Sequence, residues 1–176
     1  MLFQETALAG AWLIEPEPLH DQRGFFARAF CEKEFRTHGL NDHWVQHNIS
    51  FNAAKGTLRG LHYQSSPHAE IKVVRCTAGA IYDVIVDLRP ASPTYTRWIG
   101  VELSAVNRRA LYVPAGFAHG FQTLLPETEL FYLMSEFFHP ECARGVVWND
   151  PALGIDWPVG ERILSERDRS YPAFVP

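Results

Sequence analysis

Residues 79–88 read G-A-I-Y-D-V-I-V-D-L. Gly79 opens a run dense in β-branched and aromatic side chains, the composition that suits a pleated strand. Strand alternation places Ile81, Asp83, Ile85 and Asp87 on one face and Tyr82, Val84 and Val86 on the other. Outward from this run the pattern recurs, as short segments rich in Val, Ile, Phe, Tyr and Thr punctuated by scattered Gly and Pro. Strands are predicted at 12–15, 25–30, 45–52, 57–63, 71–76, 80–88, 96–103, 110–113, 120–124 and 130–137. One short helix is predicted over Glu32–Thr37, stopped by Gly39, with two or three helical turns near the C-terminus. The expectation is an all-β jelly-roll barrel with a few short peripheral helices, as a single domain over residues 1–176. Such a barrel leaves a cavity between its sheets, a natural small-molecule site.

Bulk properties narrow the function. The chain of 176 residues can bury a core without staples. Its 16 Lys and Arg against 20 Asp and Glu leave a net charge of −4, which speaks against a nucleic-acid binder. No apolar run is long enough to predict a transmembrane helix. The opening stretch M-L-F-Q-E-T-A-L-A-G has neither the basic lead nor the apolar length of a signal peptide. Cys31, Cys76 and Cys142 are odd in number and form no C-x-x-C pair, so they read as free apolar fillers in a cytoplasmic protein.

Several polar residues interrupt otherwise apolar strands. Gln46 and Asn48 sit two apart and share a strand face. Lys72 lies in I-K-V-V, where the strand pattern alone favours an outward, solvated lysine. A buried Lys72 would instead need an anionic partner, which a ligand could supply. Strict alternation sets Arg59 and His62 on opposite faces, and Gly60 between them offers a bulge that would bring both to one side. His62 and His119 lie near glycines, and imidazole is the side chain best suited to proton transfer near neutral pH. Taken alone, Tyr132 in L-F-Y-L-M reads as a core aromatic and Asp168 as a surface carboxylate.

The segment P-A-G-F-A-H (Pro114–His119) is similar to the second metal-binding motif of cupins. The first cupin motif would supply H-x-H, where this chain has His62-Tyr63-Gln64. His62 and His119 give two ligands where a firm site needs three or four, and His68-x-Glu70 beside Pro67 reads as a loop. A metal-free site is therefore expected.

These strings join D-Q-R-G-F-F (Asp21–Phe26), G-T-L-R-G-L-H-Y-Q (Gly56–Gln64), W-N-D-P (Trp148–Pro151) and L-S-E-R-D (Leu164–Asp168) in order along nearly the whole chain. With them the chain resembles the dTDP-4-dehydrorhamnose 3,5-epimerase family, of cupin-like jelly-roll fold. The resemblance implies a cofactor-independent isomerase that inverts C-3, C-5 or both of a dTDP-4-keto-6-deoxyhexose through an enolate. It implies that His62 is the base, Asp168 its carboxylate partner, Tyr132 the acid and Lys72 the stabiliser of the enolate oxygen. Gln46, Asn48, Arg59, His119, Phe138 and Arg167 correspond to substrate-binding positions, Phe138 in place of a stacking tyrosine. Arg23 corresponds to a nucleotide contact donated across a homodimer. Arg28, His47 and Ala143 depart from the family pattern near the nucleotide end, which leaves CDP-, GDP- and UDP-linked sugars open. A non-catalytic sugar-nucleotide-binding cupin is a more distant reading, against which the complete His62, Lys72, Tyr132 and Asp168 set stands.

Overall fold

The 79–88 run forms a strand at Ala80–Asp87, and that strand is buried on both faces. The reason lies in the architecture, taken from a computed structural model that describes residues 1–175. The strands are β1 (Leu2–Glu5), β2 (Trp12–Glu15), β3 (Leu19–Asp21), β4 (Gly24–Phe26), β5 (Gln46–Asn52), β6 (Leu58–Gln64) and β7 (Lys72–Ala78). They continue as β8 (Ala80–Asp87), β9 (Trp98–Ser104), β10 (Ala110–Val113), β11 (Phe117–Thr123), β12 (Thr128–Met134) and β13 (Ala143–Gly145). The helices are α1 (Glu32–Thr37) and α2 (Glu166–Arg169).

One sheet runs β1-β2-β10-β7-β12-β5 and the other β13-β6-β11-β8-β9, with antiparallel pairing between neighbouring strands. The two face each other over a core that includes Val74, Ile81, Ile85, Leu111, Phe117 and Leu130. This is the expected jelly-roll sandwich. A second apolar layer covers the outside of the β8 sheet, where Leu58, Val84 and Val86 pack against Val146, Leu153 and Trp157 of the C-terminal segment. That layer buries the second face of β8. On the far side, Phe35 of α1 seals Ile14, Val73, Tyr112 and Leu133.

The α1 bounds match the reading from sequence. Gly39, at φ +67°, lets the backbone N–H groups of Gly39 and Leu40 return to the carbonyls of Arg36 and Phe35. The predicted strand at 25–30 ends early, at Phe26, because β4 pairs only with the short β3 in an exposed hairpin. β11 begins at Phe117 rather than Gly120, since the turn closes at Gly116 and pairing with β8 starts at once. Short β1, β3 and β13 lack the alternation that would reveal them. Cys76 and Cys142 are buried free thiols, and burial pushes the Cys76 thiol up to about 11. No described helix is long and apolar enough to cross a membrane.

Candidate active site

A cavity of about 550 Å³ opens between the sheets, floored by Phe121 and Leu130 of the central core. Each sheet contributes polar residues to it. Arg59 and His62 come from β6 and His119 from β11, while Gln46 and Asn48 come from β5, Lys72 from β7 and Tyr132 from β12. Phe138, on the segment after β12, and Arg167 of α2 line it as well.

The parity problem at Arg59 and His62 resolves at Gly60. Pairing between β6 and β11 slips one register step there, and Gly60 takes φ +137°. A Cβ on Gly60 would stand 2.6 Å from Gly120 Cα, so the approach of the two strands requires glycine. Leu58 and Leu61 consequently turn to the outer layer while Arg59 and His62 both face the cavity.

His62 and His119 are direct cross-strand partners. His62 Nε2 lies 2.5 Å from Asp168 Oδ1, and His119 Nε2 lies 2.8 Å from Asp83 Oδ1. Each ring nitrogen that a cupin metal would recruit is thus engaged by an aspartate. Asp168 is not the surface group that its sequence context suggested. It is 5% exposed, and Ser165, the N-cap of α2, accepts its N–H and donates a hydroxyl to its Oδ2 at 2.8 Å. Burial opposes the ionised form of Asp168, but bonds from His62 and Ser165 outweigh it and hold the carboxyl below its ordinary range. With His62 Nε2–H donated to that carboxylate, the lone pair resides on Nδ1.

Lys72 is likewise buried, at 7% exposure, and not outward. Its ammonium pairs with Glu70 Oε1 at 2.9 Å and reaches the His62 carbonyl at 3.4 Å. The anionic partner demanded by burial is therefore built into the chain. Glu70 also accepts the Gln64 N–H at 2.9 Å, and so it serves Lys72 rather than a metal with His68. Burial raises the Tyr132 phenol above its ordinary value, against a smaller opposing effect of the Arg59 charge, so the group is a neutral donor at neutral pH.

Not every expected residue gathers here. Arg23 stands on the exposed β3–β4 hairpin, paired with Asp21 at 2.5 Å and outside its own chain's cavity. Of the three departures, Ala143 lines the cavity, whereas Arg28 pairs with Glu34 and His47 packs edge-on against Phe131. Sequence reasoning missed the Glu70 and Asp83 partnerships, although for Asp83 an acid inside the apolar run of β8 is itself the signal of a buried partner. It also missed Tyr171, whose ring packs edge-to-face on His62 in space left by the absent side chain of Gly145.

The family model described as dTDP-4-dehydrorhamnose 3,5-epimerase matches residues 5–175. The chain belongs to this family. A dTDP-4-dehydrorhamnose 3,5-epimerase of Sinorhizobium fredii is 47% identical, over 99% of this chain and 90% of the relative. The family's solved structures include the Bacillus anthracis epimerase with TDP and pyrophosphate bound, at TM-score 0.96 and 47% identity, covering 98% of this chain and 99% of that one. They also include the Legionella pneumophila epimerase in complex with dTDP-4-keto-L-rhamnose, at TM-score 0.92 and 40% identity, covering 98% of this chain and 92% of that one.

Proposed function

We propose that this epimerase-family chain inverts C-3, C-5 or both of a dTDP-4-keto-6-deoxyhexose by removing a proton beside the ketone and returning one to the opposite face. One observation carries this reading: His62 and Tyr132 enter the cavity from opposite sheets. A base on one side and a neutral phenol on the other is what inversion of a carbon centre requires. His62 takes the proton through Nδ1, and Asp168 stabilises the imidazolium that forms. The Lys72 ammonium meets the charge that develops on the 4-keto oxygen as the enolate forms. Tyr132 then donates its proton to the carbon from the far side. Positioned acids and bases of this kind each supply roughly 10²–10⁴-fold.

Arg59, His119, Gln46 and Asn48 line the same cavity and hold the sugar and its phosphates, the guanidinium of Arg59 matching phosphate oxygens. Phe138 offers an exposed ring to the nucleobase, and Arg167 a second cation. The proposal extends to a homodimer in which the β3–β4 hairpin carries Arg23 into the partner's cavity. Leu19 and Phe26, both 72% exposed, and the β5 residues Ile49 and Phe51, 66% and 57% exposed, favour a covering partner.

The test is solvent exchange. Incubated in D₂O with dTDP-4-keto-6-deoxyglucose, the enzyme should place deuterium in the sugar ring, one atom per inverted carbon. His62→Ala should abolish the exchange, and its persistence in that variant overturns the assignment of the base. Exchange with CDP-, GDP- or UDP-linked substrate but not with the dTDP sugar would replace the nucleotide. Sedimentation velocity reads the dimer directly.

A further inference from the structure

Two loops at the rim of the cavity bring together groups that the reaction does not use. His68 comes from the turn after β6, and Glu136 and His139 come from the segment after β12. Their ligand atoms all lie within 4.8 Å of one another. His68 Nδ1 stands 3.5 Å from Glu136 Oε2, close to the ~3.4 Å edge of a tetrahedron of ligands bound at zinc distances. That nitrogen is shut off from solvent and makes no hydrogen bond among the described residues.

The second histidine carries a further signature. His139 Nδ1 meets Glu141 Oε1 at 3.1 Å, the carboxylate–imidazole pairing that stands behind metal-bound histidines. It fixes the proton on Nδ1 and leaves the lone pair on Nε2, which lies 4.0 Å from Glu136 Oε1. The Phe137 N–H donates to Glu136 Oε1 at 2.7 Å and fixes the carboxylate beside the two rings.

The scaffold is as specific as the cluster. Gln64, 5% exposed at the end of β6, accepts the His139 N–H at 2.6 Å and donates its amide to the His68 carbonyl at 2.9 Å. One buried amide thus sets the backbones of both histidines. Their rings stack with centroids 3.4 Å apart.

We propose that His68, His139 and Glu136 bind a divalent transition metal of the zinc class at the rim, apart from His62 and His119. Two imidazoles and one carboxylate suit such an ion, whereas Mg²⁺ and Ca²⁺ prefer oxygen ligands. Chelation turns the stacked rings so that their lone pairs converge, and water completes the coordination. The bound ion pins the segment that carries Phe138, whose N–H already bonds Gln46 Oε1 at 2.7 Å.

The test is isothermal titration of the chelator-stripped full chain with ZnCl₂, and separately with MgCl₂. One zinc per chain is expected, with no response to magnesium. His68→Ala and His139→Ala should each weaken zinc binding at least tenfold, and Glu141→Gln by about tenfold. His47→Ala, at an exposed histidine elsewhere, should leave the isotherm unchanged. Zinc should raise the melting temperature of the wild type and not that of the His68→Ala/His139→Ala double variant. If an alanine variant does not fold, His68→Gln takes its place. Absence of one-per-chain uptake by the wild type, or an unchanged isotherm in the double variant, overturns the proposal.

Discussion

His62 and Asp168 stand 106 residues apart in the chain, yet their side chains meet at 2.5 Å. The contact depends on α2, a single turn whose N-cap Ser165 fixes the carboxylate that orients the imidazole. Asp168→Asn should keep the shape and lose the charge. Its kcat is expected to fall by about 10²–10⁴-fold with KM little changed, as read by steady-state epimerisation.

The same carboxylate links acidity to folding. Its folded-state pKa lies below the ordinary 3.8, so its contribution to stability is present above that value and disappears as pH falls through the folded one. Asp87 behaves alike and more strongly, held at about 2 against burial by Arg89, Ser92 and Thr94. It should contribute roughly 2 kcal/mol at neutral pH, lost between about pH 4 and pH 2. Urea unfolding across that range should show a steeper loss for the wild type than for Asp87→Asn.

Tyr132→Phe should separate the two halves of the reaction. The base remains, so exchange of substrate hydrogen with D₂O should continue. Inversion should slow by about 10²–10⁴-fold, as followed by NMR of the product.

The side chains of Glu70 and Lys72 are 4% and 9% exposed and pair at 2.9 Å. Lys72→Met should destabilise the fold by about 3–5 kcal/mol, because it strands a buried carboxylate. Adding Glu70→Gln should restore most of that stability in chemical denaturation. Activity should stay lost in both, which distinguishes the part Lys72 plays in the chemistry from its part in the fold.

Gly60→Ala should cost about 3 kcal/mol and abolish activity, since the new methyl would meet Gly120 Cα at 2.6 Å and push β6 from β11. Thermal unfolding and exchange in D₂O read the two effects separately.

The period-2 runs announced most of the strands and the sandwich because alternation survives wherever a strand faces solvent or core in regular fashion. At β8 alternation sorted the residues onto two faces, but the outer layer that the C-terminal segment lays over the second face is foretold by no local pattern. The switch of parity at Gly60 was legible as a possibility, since a glycine between two polar residues permits a bulge, but the register slip itself depends on β11. The residues that gather in the cavity were legible through their strings, whereas alternation alone would have sent Lys72 to solvent and Asp168 to the surface. Glu70 and Asp83 were hidden because their partners are set by tertiary approach. Arg23 meets only its hairpin neighbour Asp21 and stays outside its own chain's cavity, so no pattern within one chain reveals a role for it.

That His62 and Tyr132 belong to different sheets makes the distance between them a property of the interior rather than of any loop. The span across which a sugar ring must fit is set by side chains such as Val74, Leu111 and Phe117, which act as spacers. Thinning that filling lets the walls settle toward each other and alters the geometry of proton delivery at a distance. Volume-reducing changes deep in this enzyme should therefore register first in the isotope effects of turnover, before the ligand contacts themselves are touched.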